Sequence, residues 1–337
     1  MLRSAARLFL VASLAIAGGA FGTDQAAAQS AQPPSNTSGQ SSTKAKTAAH
    51  PSPVAQSISS KPQTNQKTFA SAQEAASALY SAARGNDENA LLVILGPDAA
   101  DIIHWTDNAE DRKAERDQFA QKYGQMHRLV KEPDGETTLY IGAENWPLPI
   151  PLVHANGAWF FETSLGRREI LYRRIGENEL ETINVLHSIV DAQKEYYSQA
   201  PRGDGAHIYA EHFNSGQGLR DGLYWPSTAN ESPLGPYLAR ADYDRSDRVP
   251  LHGYFFRVLT AQGANAPGGA KSYMGNGKMT AGFAVVAFPA EYRASGVKTF
   301  IVNQDGIAYE RDFGPMTTQL AAALKAYNPD STWHKAP

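Results

Sequence analysis

The spacing of histidine, aspartate and arginine sets what chemistry this chain is equipped for. Nine histidines are present, and no HExxH places two of them one helical turn apart around a general base. His207 and His212, with Glu211 between them, form the tightest cluster. Imidazole and carboxylate are zinc-type ligands, but the spacing fits no metal motif, so loop histidines are expected. Asp242, Asp244 and Asp247 supply oxygen donors of the kind calcium prefers. The glycine and closing glutamate of an EF-hand are missing, and Arg240, Arg245 and Arg248 interleave as counter-charges. A salt-bridged loop is the expectation there. No G-x-S-x-G marks a nucleophile elbow. The glycine-rich residues 263–277 lack the GxxxxGK phosphate cradle and read as a hairpin loop. No catalytic residue, metal or cofactor is therefore assigned.

Side chains that recognise rather than react are easier to nominate. Trp146 and Trp159 flank or follow the segment WPLPIPL, and Tyr224 and Trp225 lie in a long aromatic loop with Tyr237. Arg173 and Arg174 belong to a quartet with Arg167 and Arg168, interleaved with Glu169, Glu177, Glu179 and Glu181. Helical ion pairing accounts for that mixture at about 0.3 kcal/mol per pair; an anion-binding patch is the sharper reading. Trp146, Trp159, Arg173, Arg174, Tyr224 and Trp225 are the candidate binding residues. A second reading has Trp105, Trp146, Trp159 and Tyr140 lining a small-molecule pocket, in the first lobe or between lobes. His104 or Asp107 would then act as acid or base.

Composition narrows the setting. Lys and Arg total 31 against 34 Asp and Glu, a net charge of −3 over 337 residues. Nucleic acid is not an expected partner, because phosphate binding needs a basic face. Cysteine is absent, which removes disulfides, thiolate metal sites and a Cys nucleophile. The start has the form of a secretory signal peptide: Arg3 and Arg7, an apolar run over residues 8–21, then Ala26 and Ala28 at an exit site. Residues 1–28 are assigned to it, with cleavage after Ala28 and an alternative after Ala20. The run falls short of the ~20 residues that span a membrane, and no later segment approaches that length. The mature chain is therefore expected in the periplasm or secreted, without a membrane span. Residues 29–66, rich in Ser, Gln, Pro and Ala, bury too little apolar surface to offset their ordering entropy and read as a disordered spacer.

Two lobes follow, 67–165 and 166–330. The first opens with helices over 70–84, 88–95 and 109–123, with Ser71 and Glu74 as a capping pair. Strands follow over 137–143, 148–154 and 158–163, and Asn156-Gly157 marks a hairpin turn. Prolines at 147, 149 and 151 strip one side of a strand of donors, which predicts an edge strand or a polyproline-like run. The second lobe opens with a long helix carrying Leu180, Ile183, Leu186, Val190 and Tyr197 on one stripe. An irregular stretch covers 203–250, and antiparallel strands (252–261, 282–288, 298–303, 307–311) and a short helix over 317–327 complete it. The fold class is α+β, with helices then an antiparallel sheet in each lobe.

The motifs LGPDAADII, WPLPIPLV, RRIGENEL and VDAQKEYY together resemble an uncharacterised exported Gram-negative bacterial family defined as domain of unknown function 2950. The resemblance covers residues 68–330 and implies a secreted or periplasmic protein; it transfers no site residue. The second lobe, with DAQKEYY on its helix followed by GYFFRVL, GFAVVAFPAEY and VKTFIVNQDGIAY, is similar to the globular heads of type IV pilins and pseudopilins. The first lobe looks like a cone of the NTF2 or cystatin type. The function expected is a non-enzymatic interaction or scaffold protein of the bacterial envelope, whose partner is another envelope or extracellular protein. A glycan binder using Tyr224, Trp225 and Tyr237 is the third reading.

Overall fold

The computed structural model describes residues 61–201, 205–226 and 231–337. The leader and most of the spacer lie outside the described residues. The chain divides into two units, each described by itself. The N-terminal body comprises residues 61–97 and 113–162; the C-terminal body comprises Asp98–Arg112 and Thr163–Pro337. Residues 98–112, which chain order places in the first lobe, thus belong to the second unit.

The N-terminal body opens with α1 (Ala72–Arg84) and α2 (Glu88–Leu95). Ser71 Oγ accepts from Glu74 N at 3.1 Å and the Glu74 carboxylate accepts from Ala70 N at 3.0 Å, so the helix start is satisfied from both directions. Asp87 caps α2 in the same way, at 2.9 Å from Ala90 N. The fold starts before the composition suggests. Gln66, assigned by composition to the spacer, is only 9% exposed. Its Nε2 donates to Ile94 O, Leu95 O and Phe161 O at 3.2, 3.1 and 2.7 Å. A single amide thereby ties the incoming chain to α2 and the sheet.

The C-terminal body contributes α3 (Ala100–Ile103) and the start of α4 (Ala109–Gln125), whose residues from Lys113 belong to the N-terminal body. Five antiparallel strands follow: β1 (His127–Lys131), β2 (Thr137–Ile141), β3 (Trp146–Pro147), β4 (Leu152–Ala155) and β5 (Ala158–Phe161), in the order β1-β2-β4-β5 with β3 also on β2. Asn156 and Gly157 have φ of +54° and +79°, the conformation of the tight hairpin their identities predict. The proline segment pairs on one side. Leu148 N donates to Leu139 O at 2.8 Å and Pro147 opposes Tyr140, so the intervening prolines turn their donor-less nitrogens away from β2. On the other side Pro151 contributes only its carbonyl, which accepts from Glu162 N at 2.9 Å, and the ladder continues at Leu152, opposite Phe161. The core is aliphatic and aromatic, including Leu79, Phe119, Leu139, Ile150 and Phe160.

The C-terminal body is organised by α5 (Thr163–Gln199), 37 residues in one helix, about 55 Å at 1.5 Å per residue. Its buried stripe is Ile183, Leu186, Ile189, Val190, Gln193 and Tyr196. Leu180 and Tyr197, expected on that stripe, are exposed by 57% and 37%. Steps of three and four residues keep Ile183 and Tyr196 facing inward, and Tyr197 is one residue, about 100° of helical rotation, off that line.

Beyond it come β6 (His212–Asn214) and β7 (Gly222–Tyr224), a short parallel pair, and α6 (Pro236–Arg240). A side chain at Gly222 would collide with the Asn214 backbone, so this pairing requires glycine there. The main sheet uses β8 (Tyr254–Leu259), with β9 (Ala261–Gln262), β10 (Lys271–Ser272), β11 (Met274–Gly275) and β12 (Lys278–Met279) forming small hairpins beside it. It continues through β13 (Ala284–Pro289), β14 (Lys298–Asn303) and β15 (Tyr309–Asp312), then α7 (Thr317–Ala323) and β16 (His334–Lys335). The order is β16-β15-β14-β13-β8, all antiparallel.

All six residues of β13 are buried, as its unbroken apolar sequence AVVAFP requires of a strand covered on both faces. On one face Arg257, opposite Val286, donates to Ala321 O and Leu324 O at 3.1 and 2.6 Å at the end of α7. On the other, Tyr254 meets the α5 side of the body. Helices before an antiparallel sheet in an α+β arrangement are thus observed. Among the described residues no helix is long and apolar enough to cross a membrane.

Candidate functional site

From the arginine-rich part of α5, one side chain and its neighbours a turn on reach the backbone that joins β13 to β14. Arg174 Nη2 donates to Ala294 O at 3.1 Å and Asn178 Nδ2 to Ser295 O at 2.8 Å. The next residue, Glu179, accepts through Oε1 from Val297 N and Lys298 N at 2.8 and 3.0 Å. Tyr254 Oη donates to Lys298 O at 2.9 Å, and Lys298 Nζ pairs with Glu310 at 3.3 Å. Helical spacing explains the set: residues 174, 178 and 179 share one face and grip the β13–β14 connection along its backbone. Burial raises the Glu179 carboxyl above its ordinary pKa, even though both N–H bonds and Lys298 favour the charged form. Arg173, beside Arg174, points elsewhere and pairs with Glu169 at 2.7 Å. Arg167 pairs with Asp101 at 2.8 Å. The two nominated arginines are adjacent in sequence but bind different protein groups.

The C-terminal end of α5 presents aromatic rings. Tyr197 stacks on Tyr209 at 4.8 Å and meets the His207 ring at 5.5 Å, and Tyr209 continues to the buried Phe283 at 5.0 Å. His207 Nδ1 lies 2.7 Å from Tyr197 O; a carbonyl only accepts, so Nδ1 carries the proton. Tyr209 N donates to Met279 O at 2.8 Å, which fixes the loop beneath the rings. Burial and the neighbouring Tyr197 hydroxyl push the Tyr209 phenol up. Nearby on the same helix, Tyr196 Oη donates to Arg220 O at 2.6 Å. Arg220 and Asp221 line an open concavity of about 500 Å³ with Pro201, Gly218 and Leu219. The aromatic end of α5, with Tyr197 over Tyr209, is the candidate site.

The other nominated residues are dispersed. Trp146 lies in β3 opposite Ile141. Trp159 lies in β5, with Phe69 bonded to its backbone at 2.8 and 2.9 Å and the His154 ring at 5.0 Å. Tyr140 is in β2 of the same sheet, whereas His104, Trp105 and Asp107 belong to the other unit. In the C-terminal body Tyr224 is half-buried in β7 and Trp225 is a core residue, 6% exposed, with the Arg220 guanidinium 5.5 Å above its ring. Tyr237, on α6, is 66% exposed.

Asp242, Asp244 and Asp247 do not converge. Arg245 binds Asp247 through two bonds of 2.9 and 2.7 Å, and Asp242 Oδ1 accepts from Asp244 N at 3.1 Å. Among the described residues no three His, Asp or Glu side chains are placed to hold a metal ion. The Glu179 grip and the Tyr197–Tyr209 stack escape sequence reading. Their partners lie over a hundred residues away in the first case, and in the second the rings look like loop aromatics among many.

Comparison with known proteins finds a match to one family model, described as a protein of unknown function (DUF2950), over residues 66–336. No curated protein and no solved structure matches the chain.

Proposed function

We propose that this chain, which belongs to the DUF2950 family of proteins of unknown function, is an exported, non-enzymatic protein of the Gram-negative envelope, periplasmic or secreted, that works by binding another envelope or extracellular protein. The observation that carries the reading is the aromatic end of α5, where Tyr197 keeps an exposed ring over a fixed base of Tyr209 and Phe283. Rigid, partly exposed tyrosines supply contact area at little entropic cost, and they are enriched in protein interfaces with arginine. Arg220 lines a concavity with Pro201, two residues past the end of α5. The leader-like residues 1–28 and the spacer composition support export and reach. The likeness of the C-terminal body to pilin heads draws support from α5 packing on β13 and β14 of an antiparallel sheet.

A photo-crosslinking residue at position 197, introduced into the full chain in its native envelope, tests the reading. A discrete adduct is expected from position 197 and none from the exposed position 113 of the N-terminal body. Identical labelling from both positions, or no adduct at 197 with protein found in the cytosol, would remove the proposal.

A further inference from the structure

The backbone of β1 is half used. Met126 O accepts from Gly142 N at 2.9 Å and Glu132 N donates to Glu136 O at 2.8 Å. Between these points His127 opposes Ile141 and Lys131 opposes Thr137. Bonded and non-bonded pairs alternate in an antiparallel ladder. Residues 128 and 130 therefore bond to β2, whereas His127, Leu129 and Lys131 turn their N–H and C=O groups outward. β1 is the end strand of its sheet, so these groups form a three-residue ladder open to another strand.

Two other sheet margins are covered. Along β8, Phe256 N donates to Ala241 O at 2.9 Å and Tyr243 N to Phe256 O at 2.8 Å. On β5, Phe69 bonds Trp159 in both directions. β1 has no such cover among the described residues, and no proline interrupts it.

Its charge selects the occupant. Arg128 and Lys131 are exposed, one on each face of the strand, with His127 also exposed. The Arg128 guanidinium lies 4.6 Å over the Tyr140 ring, and its Nε donates to Asn145, which holds the charge in place. The sign reverses at Glu132, Asp134 and Glu136, so the basic stretch is confined to β1 itself. Basic side chains on an edge deter two copies from pairing with each other. The same charges attract a strand of opposite sign.

We propose that β1 is a docking edge for an extended, carboxylate-bearing segment of another protein, which adds as a strand to His127, Leu129 and Lys131 and sets its acids against Arg128 and Lys131. Main-chain bonds supply the affinity and the two cations the selectivity. The proposal rests on the reading of the chain as a protein-binding module, but it uses a surface in the other unit. Tyr197→Ala leaves it intact, so the two fail separately.

The test titrates the full chain, labelled with 15N, with the peptide Ac-STETVETS-NH2, whose two glutamates lie three residues apart and so point to opposite faces of a strand as Arg128 and Lys131 do, and with its counterpart carrying lysine at both acidic positions. Saturable shifts at the amides of residues 127, 129 and 131, with slowed exchange of those amides, are expected from the acidic peptide alone. Arg128→Glu with Lys131→Glu should weaken binding by about tenfold or more, and Leu129→Pro, which removes an outward donor, should abolish it. If the proline variant is unfolded, the charge-reversed variant decides. Equal binding of both peptides, no saturable binding, unchanged affinity in the charge-reversed variant, or shifts confined to other residues would each overturn the proposal. So would concentration-dependent dimerisation through β1, which assigns the edge to a second copy.

Discussion

The carboxylate of Glu179 lies 3.0 Å from the backbone nitrogen of Lys298, 119 residues further along the chain. It holds Val297 N as well, so one side chain of α5 fixes the start of β14. Replacing Glu179 with alanine leaves two backbone donors without their acceptor. A loss of about 2–3 kcal/mol is expected from urea unfolding, since bonds to a charged acceptor exceed ordinary ones.

The pH dependence of the same group has a definite sign. Burial raises the Glu179 pKa above its unfolded value, so the folded chain binds that proton more tightly than the unfolded chain. Its contribution is fullest below the unfolded pKa and is lost as pH rises through the folded one. Between about pH 4.5 and 7 the wild-type chain should lose stability relative to Glu179→Gln, read as the difference in urea midpoints. Asp242 shifts in the same direction by burial and cancels in that difference. A difference that stays flat or rises with pH would contradict the assignment.

Gly296 sits against Tyr254 so closely that an added methyl would overlap its ring and hydroxyl. Gly296→Ala should therefore cost about 1–3 kcal/mol by overpacking. Truncating the ring in Tyr254→Ala/Gly296→Ala should show a coupling of about 0.5 kcal/mol or more in a double-mutant cycle. Strict additivity would place the strain elsewhere.

Thr299 is fully buried in β14, and its hydroxyl has no hydrogen-bond partner among the described residues. Valine has nearly the same shape without that oxygen. Thr299→Val should leave stability unchanged or raise it by about 1 kcal/mol, measured as a shift in thermal midpoint. A clear loss would mean the hydroxyl is satisfied in solution.

Gln66 ties three carbonyls together at the entry to the N-terminal body. Gln66→Ala leaves those carbonyl oxygens without this donor and should cost about 1–3 kcal/mol, read from urea unfolding. Removal of residues 1–60 should leave the thermal midpoint unchanged, because this anchor remains.

Local rules made much of the fold readable. Asn156-Gly157 marks its turn, Ser71 with Glu74 the start of α1, and the strand expected over 282–288 overlaps β13. β1 was not foreseen, since HRLVK follows a helix directly and buries neither face well enough to alternate. The parallel pair β6–β7 inside the irregular stretch depends on a backbone contact at Gly222, which carries no pattern of its own. Arg173 pairs with Glu169 one turn away, as helical ion pairing leads one to expect, whereas the partner of Arg174, Ala294 O, lies 120 residues further on. Only the near half of that arrangement is written in adjacent residues. The Tyr197–Tyr209 stack forms across a chain reversal, so its rings carry no periodic signal.

β13 needs shelter on two sides, and the last of it, α7, is among the final pieces of the polypeptide. Until α7 is in place that face of β13 lacks its cover, so the sheet closes only with the part of the chain that follows β15.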